Sequence, residues 1–484
     1  MANTTKKHGR VYTPDYIVNL ILDFGGYNDN GLLRHHVIDN SCGDGAFLVE
    51  IVNRYCTFSL AESDNLQALS TELETFIHGI EIDKDEYAKC IDNLNNIAEK
   101  HGLKNLNWDI VNGDTLTIDQ YNGKMDFVFG NPPYVRVHNL EENYDAVKKY
   151  HFAEQGMTDL YIVFFEIGFN MLASNGKMCL ITPSSWLSSL AGKHLRNYIA
   201  TYQNMSAVID LEHYQPFEAT TYTLISKYEK AKKSESIDYY IFDSITLNKR
   251  YIESLDYKDV IIGGNFYFAQ KSDLDLLKSI KTDAIIQYVC VKNGFATLAD
   301  KVFIGDFDFA DGTIDILKAS TGKWSKCIFP YSFDGAPLPP DEFMEKTEAF
   351  KYLSLHKEKL AKGRDFAGDD YWYLFGRTQA LKDVCKTKYA INTIIRDVGS
   401  IRIEVVGKGK GVYSGLYIMT DIDFETIKEL MCSTEFVNYI KLLKNYKSGG
   451  YYTFASKDLE RYLNYKLTKK YGQSRISSGS ARLF

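Results

Sequence analysis

The chain has 484 residues, of which 45% are hydrophobic and 25% charged, with only 9 prolines. This is the composition of a folded protein with more than one core, and it excludes disordered and fibrous classes. The formal net charge of −7 by itself argues against a nucleic-acid partner. The start is polar, and the longest apolar stretch, residues 160–172, is broken by Glu166 and Asn170. We therefore expect no secretory signal, no membrane span and a cytoplasmic location.

The cysteines and the distribution of charge indicate which kinds of site and partner to expect. None of the 8 cysteines forms a CxxC pair, and no histidine cluster accompanies them, so we expect reduced thiols and no metal centre. Residues 1–230 hold 18 Lys and Arg against 30 Asp and Glu, a net charge of −12, whereas the remainder holds 38 against 33, or +5. If the protein binds DNA, most phosphate contacts should come from the second half.

The first half alternates strands with helices. Apolar strands are predicted at residues 37–39, 76–81, 126–129, 178–181, 206–211 and 222–225. Such alternation indicates an α/β domain with a mostly parallel, doubly wound sheet. The alternation stops at a polar segment, residues 231–236, so we predict a linker at about 230–260. The predicted domains are 1–235 and an α+β domain at 236–484.

Asn131-Pro132-Pro133-Tyr134 directly follows one of these strands. An amino group on a heteroaromatic ring is a poor nucleophile because its lone pair is delocalised into the ring, and two acceptors aimed at its hydrogens localise that pair. The side-chain oxygen of Asn131 and the carbonyl of Pro132 are such acceptors, and Tyr134 offers a flat face for a base. For the tetrapeptide by itself, a plain Pro-Pro turn is the alternative.

Three further segments are expected in loops at the same edge of the sheet. Residues 39–47 form a strand-to-helix turn whose small residues let backbone amides approach a ligand. The GxGxxG pattern of dinucleotide sites is absent, so a nucleoside with an amino-acid tail fits this turn better than a pyrophosphate. Glu81 can accept hydrogen bonds from both ribose hydroxyls, and Asp114 can bind an adenine amino group. A surface acid and a solvated turn are the respective alternatives.

Together these motifs resemble the gamma group of adenine-specific DNA methyltransferases from restriction-modification systems, the Asn-Pro-Pro-Tyr motif family. Residues 10–14, the glycine turn, residues 79–83, Asp114 and residues 131–134 occur in that group's order, and the resemblance continues to residues 216–222. It implies the fold of S-adenosylmethionine-dependent methyltransferases with S-adenosyl-L-methionine as cofactor. It also implies methyl transfer to the N6 amine of an adenine flipped out of duplex DNA.

Carried over position by position, the resemblance implies roles for individual residues. Asn131 and Pro132 of the catalytic motif, which also includes Pro133, would polarise the target amine. Tyr134 and Phe217 would sandwich the flipped base, although a core aromatic is the alternative for Phe217. The implied cofactor-binding residues, from the methionine end to the adenine end, are Tyr12, Thr13, Asp39, Asn40, Ser41, Gly43, Gly45, Asn131, Glu81, Ile82, Asp114, Thr115 and Phe164.

The second half matches the group in fewer places. Residues 376–379 and 450–454 look like segments of target-recognition regions in long members of the group. Arg reads bases better than Lys, which mainly neutralises phosphates, although any single basic residue is more often a solvated surface charge. The candidate DNA contacts are Arg377, Arg396, Arg402, Lys408, Lys410 and Lys447.

Other functions compete with this interpretation. A protein-glutamine N5-methyltransferase meets the same lone-pair problem with the same tetrapeptide, but such proteins are shorter and lack the motif near residue 12. A DNA-binding specificity subunit without catalysis would not need that tetrapeptide, and a fused nuclease would need an acidic cluster with Lys that we do not find after residue 230. We expect a monomer acting on double-stranded DNA, with no membrane partner and room for a separately encoded companion restriction endonuclease.

Overall fold

The computed structural model describes residues 12–136, 144–154, 158–217, 221–361 and 369–476. Residues 10 and 11 of the first predicted motif, and residues 218–220 of the last, lie outside these ranges. The chain divides into two compact units, Met1–Asp275 and Leu276–Phe484. No helix within the described ranges has the length and apolarity that crossing a membrane requires.

A nine-stranded sheet lies at the centre of the first unit. Its strands are β1 Val37–Asp39, β2 Ile77–Glu81, β3 Asp109–Asn112, β4 Met125–Gly130, β5 Leu172–Pro183, β6 Met205–Asp210, β7 Thr223–Glu229, β8 Ser236–Asp243 and β9 Asn248–Asp256. They lie in the order β3-β2-β1-β4-β5-β7-β6-β8-β9. Strands β3, β2, β1, β4 and β5 pair in parallel, whereas β7 runs antiparallel to both of its neighbours. The predicted α/β methyltransferase fold is confirmed, with a mixed edge.

Helices cover both faces of this sheet. They are α1 Asp15–Gly25, α2 Ala46–Glu62, α3 Leu66–Phe76, α4 Lys84–Lys100, α5 Tyr144–Val147, α6 Leu160–Met171, α7 Lys193–Tyr202, α8 Tyr257–Val260 and α9 Lys271–Thr282. Because side chains alternate along a strand, Phe127 and Phe129 of β4 join one core with α1 and α2. On the opposite face, a Cβ at Gly168 of α6 would lie 2.4 Å from the Met178 sulfur, so this helix approaches the sheet closely.

The structure differs from the predicted linker at 230–260. Strands β8 and β9 occupy most of that range, with β8 parallel to β6 and antiparallel to β9. Ile237 and Tyr239 of β8 are buried while their neighbours are more exposed, and the edge strand β9 buries only Leu255, so these half-buried strands resemble a polar segment. The division therefore falls within α9, between Asp275 and Leu276, later than the predicted 235/236 boundary. Strand β3 was missed because only Ile110 in it is fully buried.

The second unit has the predicted α+β character. Its strands are β12 Val289–Asn293, β13 Ile304–Gly305, β14 Thr313–Lys318, β15 Lys323–Ile328, β16 Lys388–Ile391, β17 Ile394–Ile395, β18 Ile403–Val406, β19 Gly411–Tyr413, β20 Leu416–Thr420, β21 Tyr446–Lys447 and β22 Tyr451–Thr453, after the short pair β10 Ile261–Ile262 and β11 Asn265–Phe266 of the first unit. Three small sheets result, ordered β12-β20-β16-β18, β13-β15-β14-β19 and β17-β22-β21.

Helices and buried aromatic side chains complete this unit. The helices are α10 Asp300–Phe303, α11 Pro340–Met344, α12 Thr347–Ser354, α13 Lys357–Ala361, α14 Phe424–Met431, α15 Thr434–Leu442 and α16 Ser456–Ile476. The rings of Phe295, Phe329, Tyr331 and Phe375 contact one another in its core. The aromatic run at 371–377 thus packs in the core of this unit, and its last residue, Arg377, is exposed.

Candidate active site

Four predicted motifs meet at one edge of the first sheet. Asp39, Glu81, Asn112 and Gly130 end β1, β2, β3 and β4, which are neighbours in the sheet and run parallel. The carboxyl ends of parallel strands therefore bring the glycine turn, the Glu81 region, the Asp114 loop and the Asn131 turn together. Ligands of open α/β sheets bind at this kind of edge.

The glycine turn and Glu81 are joined by hydrogen bonds. The Gly43 N–H donates to Glu81 Oε2 at 2.9 Å, and the Asp83 N–H donates to Glu81 Oε1 at 2.7 Å. Gly43 has φ of +55° and Gly45, which precedes α2, has φ of +90°; a Cβ at Gly45 would also lie 2.9 Å from the Cys90 sulfur. A carboxylate has about four acceptor directions, so Glu81 can hold the turn and still accept from a ligand.

The same turn is fixed to the next two loops. The buried Thr115 hydroxyl donates to the Asn40 carbonyl at 2.6 Å, which joins the Asp114 loop to the glycine turn. A Cβ at Gly130 would lie 2.9 Å from Asp39 Oδ1, so the residue before the Asn131 turn must be small. Thr115 therefore has a structural contact that holds the two loops together.

The Asn131 amide is oriented by a residue from near the start of the chain. Its Nδ2 donates to the hydroxyl of buried Thr13 at 3.2 Å. Because the nitrogen and oxygen of an amide lie on opposite sides of Cγ, this bond sets the direction of Oδ1, the predicted acceptor. The structure thus places Thr13, next to Pro14, which precedes α1, beside the Asn131 turn.

The two aromatic residues of the predicted base sandwich are in contact. The rings of Tyr134 and Phe217 lie edge to face, with centroids 6.3 Å apart and planes at 74°. Tyr161 of α6 packs on Tyr134 at the same centroid distance and 79°. Phe217 is 7% exposed and belongs to the core that includes β4. In this arrangement no planar base fits between Tyr134 and Phe217.

The remaining predicted cofactor residues differ in exposure. Ile82, directly after Glu81, is 47% exposed at the sheet edge, whereas Phe164 is buried in α6. Tyr12 is 57% exposed, and its hydroxyl donates to the carboxylate of Glu86, 3.3 Å from Oε1. Asp114 accepts the Leu116 N–H at 3.0 Å. The sequence did not point to Glu86, a buried acid on the face of α4 that meets Tyr12.

The electrostatics of the glycine turn centre on Asp39. Burial raises the pKa of Asp39 to about 7, the Ser41 N–H at 3.0 Å lowers it, and the charge of Glu81 raises it further. Burial also raises the pKa of Tyr134 well above its usual value, so this phenol stays neutral. The turn therefore contains a carboxyl that changes charge close to neutral pH.

Asp39→Asn is expected to flatten the pH dependence of stability between about pH 4 and 7. In the unfolded chain Asp39 ionises near its ordinary pKa of 3.8, whereas the folded carboxyl keeps its proton up to about 7. The stabilisation from Asp39 is thus complete below about pH 4 and is lost as the pH rises to about 7. This loss lowers the free energy of unfolding by up to about 4 kcal/mol. Urea denaturation of wild type and variant across this range measures the slope.

Asp210→Asn is the matched control. Asp210 also ends a strand, is 8% exposed and accepts the N–H two residues ahead, that of Glu212, at 2.8 Å. It reports what removing a carboxylate from this kind of turn does to stability. If Asp39→Asn leaves the slope between pH 4 and 7 as steep as in wild type, the folded Asp39 is already ionised at acid pH.

Five of the six predicted DNA-contacting side chains are exposed, and Lys410 is half-buried. Arg396 lies 5.3 Å above the ring of Tyr451 in β22, and Lys447 pairs with Tyr451 across β21 and β22, so these three belong to one small sheet. Lys410 is paired with Asp315 at 3.3 Å and lies 4.9 Å above Trp324. Tyr451 lies within the predicted recognition segment 450–454, and Trp324 is a second aromatic residue that the structure places beside a predicted basic residue.

The Arg402 side chain belongs to a different part of the second unit. Its guanidinium donates to the Ser320 carbonyl at 3.0 Å, in the turn between β14 and β15. Lys410 contacts the same hairpin through Asp315 and Trp324. The structure therefore brings the predicted basic residues into two groups, Arg396 with Lys447 and Arg402 with Lys410; Arg377 and Lys408 are exposed elsewhere on the unit.

Comparisons with known proteins show which proteins this chain is similar to. Residues 46–217 match the Eco57I restriction-modification methylase family. The type II methyltransferase M.BstVI of Geobacillus stearothermophilus is 26% identical over 414 residues, 75% of this chain and 72% of that protein. The type II methyltransferase M.PaeR7I of Pseudomonas aeruginosa is 25% identical over 338 residues, 63% of this chain and 57% of that protein.

A solved structure supports the fold. The type IIL restriction-modification enzyme MmeI, in complex with DNA, aligns with a TM-score of 0.62 at 14% identity, over 91% of this chain and 63% of its own. The chain thus spans less than two thirds of MmeI and of M.PaeR7I. The resemblance predicted from the motifs is confirmed: residues 46–217 match the Eco57I restriction-modification methylase family model, and the chain is similar to type II methyltransferases.

Proposed function

We propose that this protein is a site-specific DNA adenine methyltransferase of a restriction-modification system. It transfers a methyl group from S-adenosyl-L-methionine to the N6 amine of an adenine flipped out of duplex DNA. The observation that carries the proposal is the Asn131 turn, oriented by Thr13 and adjoining Asp39, at the same sheet edge as the glycine turn and Glu81.

The side chains at this sheet edge suit the chemical groups of the cofactor. Glu81 offers a carboxylate for ribose hydroxyls, Ile82 an exposed apolar side chain for the adenine ring, and Asp39 a carboxyl near the positive methionine end. S-adenosyl-L-methionine supplies an electrophilic methyl group bound to a sulfonium. The chain's own part is to hold the target amine in line with that methyl group and to accept hydrogen bonds from its two N–H groups at Asn131 Oδ1 and the Pro132 carbonyl. The proton that the methylated amine loses goes to solvent. No metal is needed for this step.

Relatives favour DNA over a protein substrate. The alignment with M.BstVI spans 75% of this chain, well beyond the region that holds the Asn131 turn. A protein-glutamine methyltransferase would not explain this extent, and a specificity subunit without catalysis would not explain an oriented Asn131. We therefore assign double-stranded DNA as the substrate and the second unit as the part that recognises its sequence.

The purified full chain, incubated with methyl-labelled S-adenosyl-L-methionine and plasmid DNA, tests the proposal. We expect the label in N6-methyladenine when the DNA is digested to nucleosides and analysed by mass spectrometry. Sequencing of the modified DNA then gives the recognition site. Label in cytosine, or in glutamine of added protein with none in DNA, would overturn the assignment.

Lys447→Gln and Arg396→Gln are expected to weaken DNA binding in different ways. Lys447 is exposed, so its loss should weaken binding to all sequences and reduce the slope of log K against log salt by about 1. The Arg396 guanidinium lies over the Tyr451 ring, which holds this planar donor in one orientation. The loss of Arg396 should therefore also reduce the difference in binding free energy between target and non-target sites, by about 1–3 kcal/mol. Binding titrations at several salt concentrations, with target and non-target duplexes, measure both effects.

Lys428→Gln is the matched control for these variants. Lys428 also lies over an aromatic ring, 5.7 Å from the Phe424 centroid, and has an acidic partner, Glu425 at 3.8 Å, as Arg396 has Asp397 at 3.1 Å. It differs from Arg396 in belonging to α14. We expect its salt slope and specificity to equal those of wild type. If all three variants bind DNA as wild type does, the sheet of β17, β22 and β21 is not part of the DNA surface.

A further inference from the structure

Two histidines and a glutamate meet on the surface of the first unit, apart from the motifs of the active site. His151 begins a short 3-10 helix, Glu154 follows that helix, and His194 lies in the first turn of α7. His194 Nδ1 is 3.1 Å from His151 Nε2, and His151 Nδ1 is 3.0 Å from Glu154 Oε1. One ligand atom from each of the three side chains lies within 4.8 Å of the others.

The backbone that carries these side chains is held in place independently of them. The N–H groups of His151 and Phe152 donate to the Glu166 carboxylate of α6, at 3.2 and 2.7 Å. The Phe152 ring is buried and packs against Tyr198 of α7, with centroids 5.4 Å apart. Because core packing already joins the 3-10 helix to α7, little chain entropy is lost when a ligand joins the three side chains.

The chemistry of the set selects a class of ligand. Two imidazole nitrogens and one carboxylate oxygen are ligands typical of Zn²⁺ and of neighbouring divalent transition metals, at about 2.0–2.2 Å from the ion. Two ligand atoms about 3.1 Å apart can both bind an ion at such distances. The Glu154 carboxylate and that of nearby Glu166 offset the charge of a divalent cation. Mg²⁺ and Ca²⁺ prefer oxygen ligands and fit the set poorly.

We propose that His151, Glu154 and His194 form a binding site for one divalent transition-metal ion of the Zn²⁺ class. One nitrogen from each histidine and one oxygen from Glu154 bind the ion, and water completes its coordination. His151 and Glu154 are more than half exposed, so the site is at the surface and reversible.

The position of the site gives it a structural role. The Tyr150 hydroxyl donates to the Leu116 carbonyl at 2.9 Å, which ties the segment before His151 to the loop that follows Asp114. A bound ion would cross-link this segment to α7 and thus stabilise residues 150–154 against that helix. This role does not depend on the reaction that the active site catalyses.

Calorimetric titration of the chelator-treated full chain with ZnCl2 tests the site. We expect His194→Asn and Glu154→Gln each to weaken binding at least tenfold, and ZnCl2 to raise the melting temperature of wild type more than that of either variant. His356→Asn, a half-buried histidine of the second unit, is the matched control and should bind as wild type does. Melting temperatures without metal show whether each variant folds.

Titration with Co²⁺ separates this site from the cysteines, because the thiols of Cys42 and Cys90 lie 4.0 Å apart in the core. A histidine and carboxylate site gives cobalt d–d bands without a thiolate charge-transfer band, and His151→Gln should remove them. Zinc affinity unchanged in both His194→Asn and Glu154→Gln, or cobalt bands that arise from thiolate and survive His151→Gln, would overturn the proposal.

Discussion

Asn131→Ala is expected to lower the rate of DNA methylation by about 100-fold or more while the affinity for S-adenosyl-L-methionine changes little. The reason is that Asn131 Oδ1 acts on the amine of the target base, where positive charge develops during methyl transfer. Removing one acceptor or donor at a developing charge typically costs about 100- to 1000-fold in rate. Single-turnover methylation measures the rate, and calorimetry with the cofactor measures the affinity.

Two further variants show whether orientation of the amide is the cause. Thr13→Val removes the acceptor of the Asn131 Nδ2–H bond at 3.2 Å but keeps Oδ1, so we expect a smaller loss of rate than in Asn131→Ala. Asn112→Ala is the matched control, because this amide at the end of β3 donates to the Glu81 carbonyl at 2.8 Å, on the cofactor side. Its effect should appear in cofactor affinity. A rate for Asn131→Ala within tenfold of wild type would remove Asn131 from the mechanism.

The first unit could be predicted from sequence because its signals are local. Val37–Asp39 and the strand before Asn131 are short apolar runs that end in a turn with glycine or proline, and parallel strands bring such turns to one edge. The order of the motifs along the chain therefore sufficed to place them together. The bonds that join them, such as Thr115 to Asn40 and Asn131 to Thr13, depend on side-chain geometry that spacing does not reveal.

The features that sequence did not predict are those that pair distant residues. Strand β9 has a weak apolar signal because it lies at the sheet edge and buries only Leu255, and β8, next to it, alternates buried with partly exposed residues at its start. The second unit is built from short strands that pair out of sequence order, such as β14 with β19, and no local pattern encodes such pairing. His151 and His194 are far apart in the chain, so the sequence shows no local cluster of histidines that would indicate the site.

The base sandwich that the resemblance implies requires the Tyr134 and Phe217 rings to move apart. A base stacked between two parallel rings needs about 3.5 Å on each side, or about 7 Å between the ring planes. The two rings lie instead edge to face at 6.3 Å, which leaves no such space. If they do sandwich the target, Phe217 must turn or withdraw when the base enters, and it gives up part of its burial to do so.

Phe217→Leu and Tyr134→Leu are expected to lower methylation of a normal A·T target by about 10- to 100-fold. Extrusion of a paired base costs a few kcal/mol, and each aromatic face returns about 1–3 kcal/mol. Leucine keeps an apolar side chain in the core but offers no flat face, whereas alanine at a core aromatic position would also cost about 3–5 kcal/mol of stability. A mismatched target adenine, already partly unstacked, should restore much of the lost rate. Methylation of matched and mismatched duplexes measures this rescue.

Conservative variants and a fluorescent base separate stacking from packing. Tyr134→Phe keeps the ring and loses only the long 3.4 Å bond to the Ile181 carbonyl, so its rate should stay near that of wild type. With 2-aminopurine at the target position, wild type should brighten the probe on binding, and both leucine variants should brighten it less. If Phe217→Leu methylates and brightens as wild type does, Phe217 is a core residue, and Tyr134 stacks on the base without it.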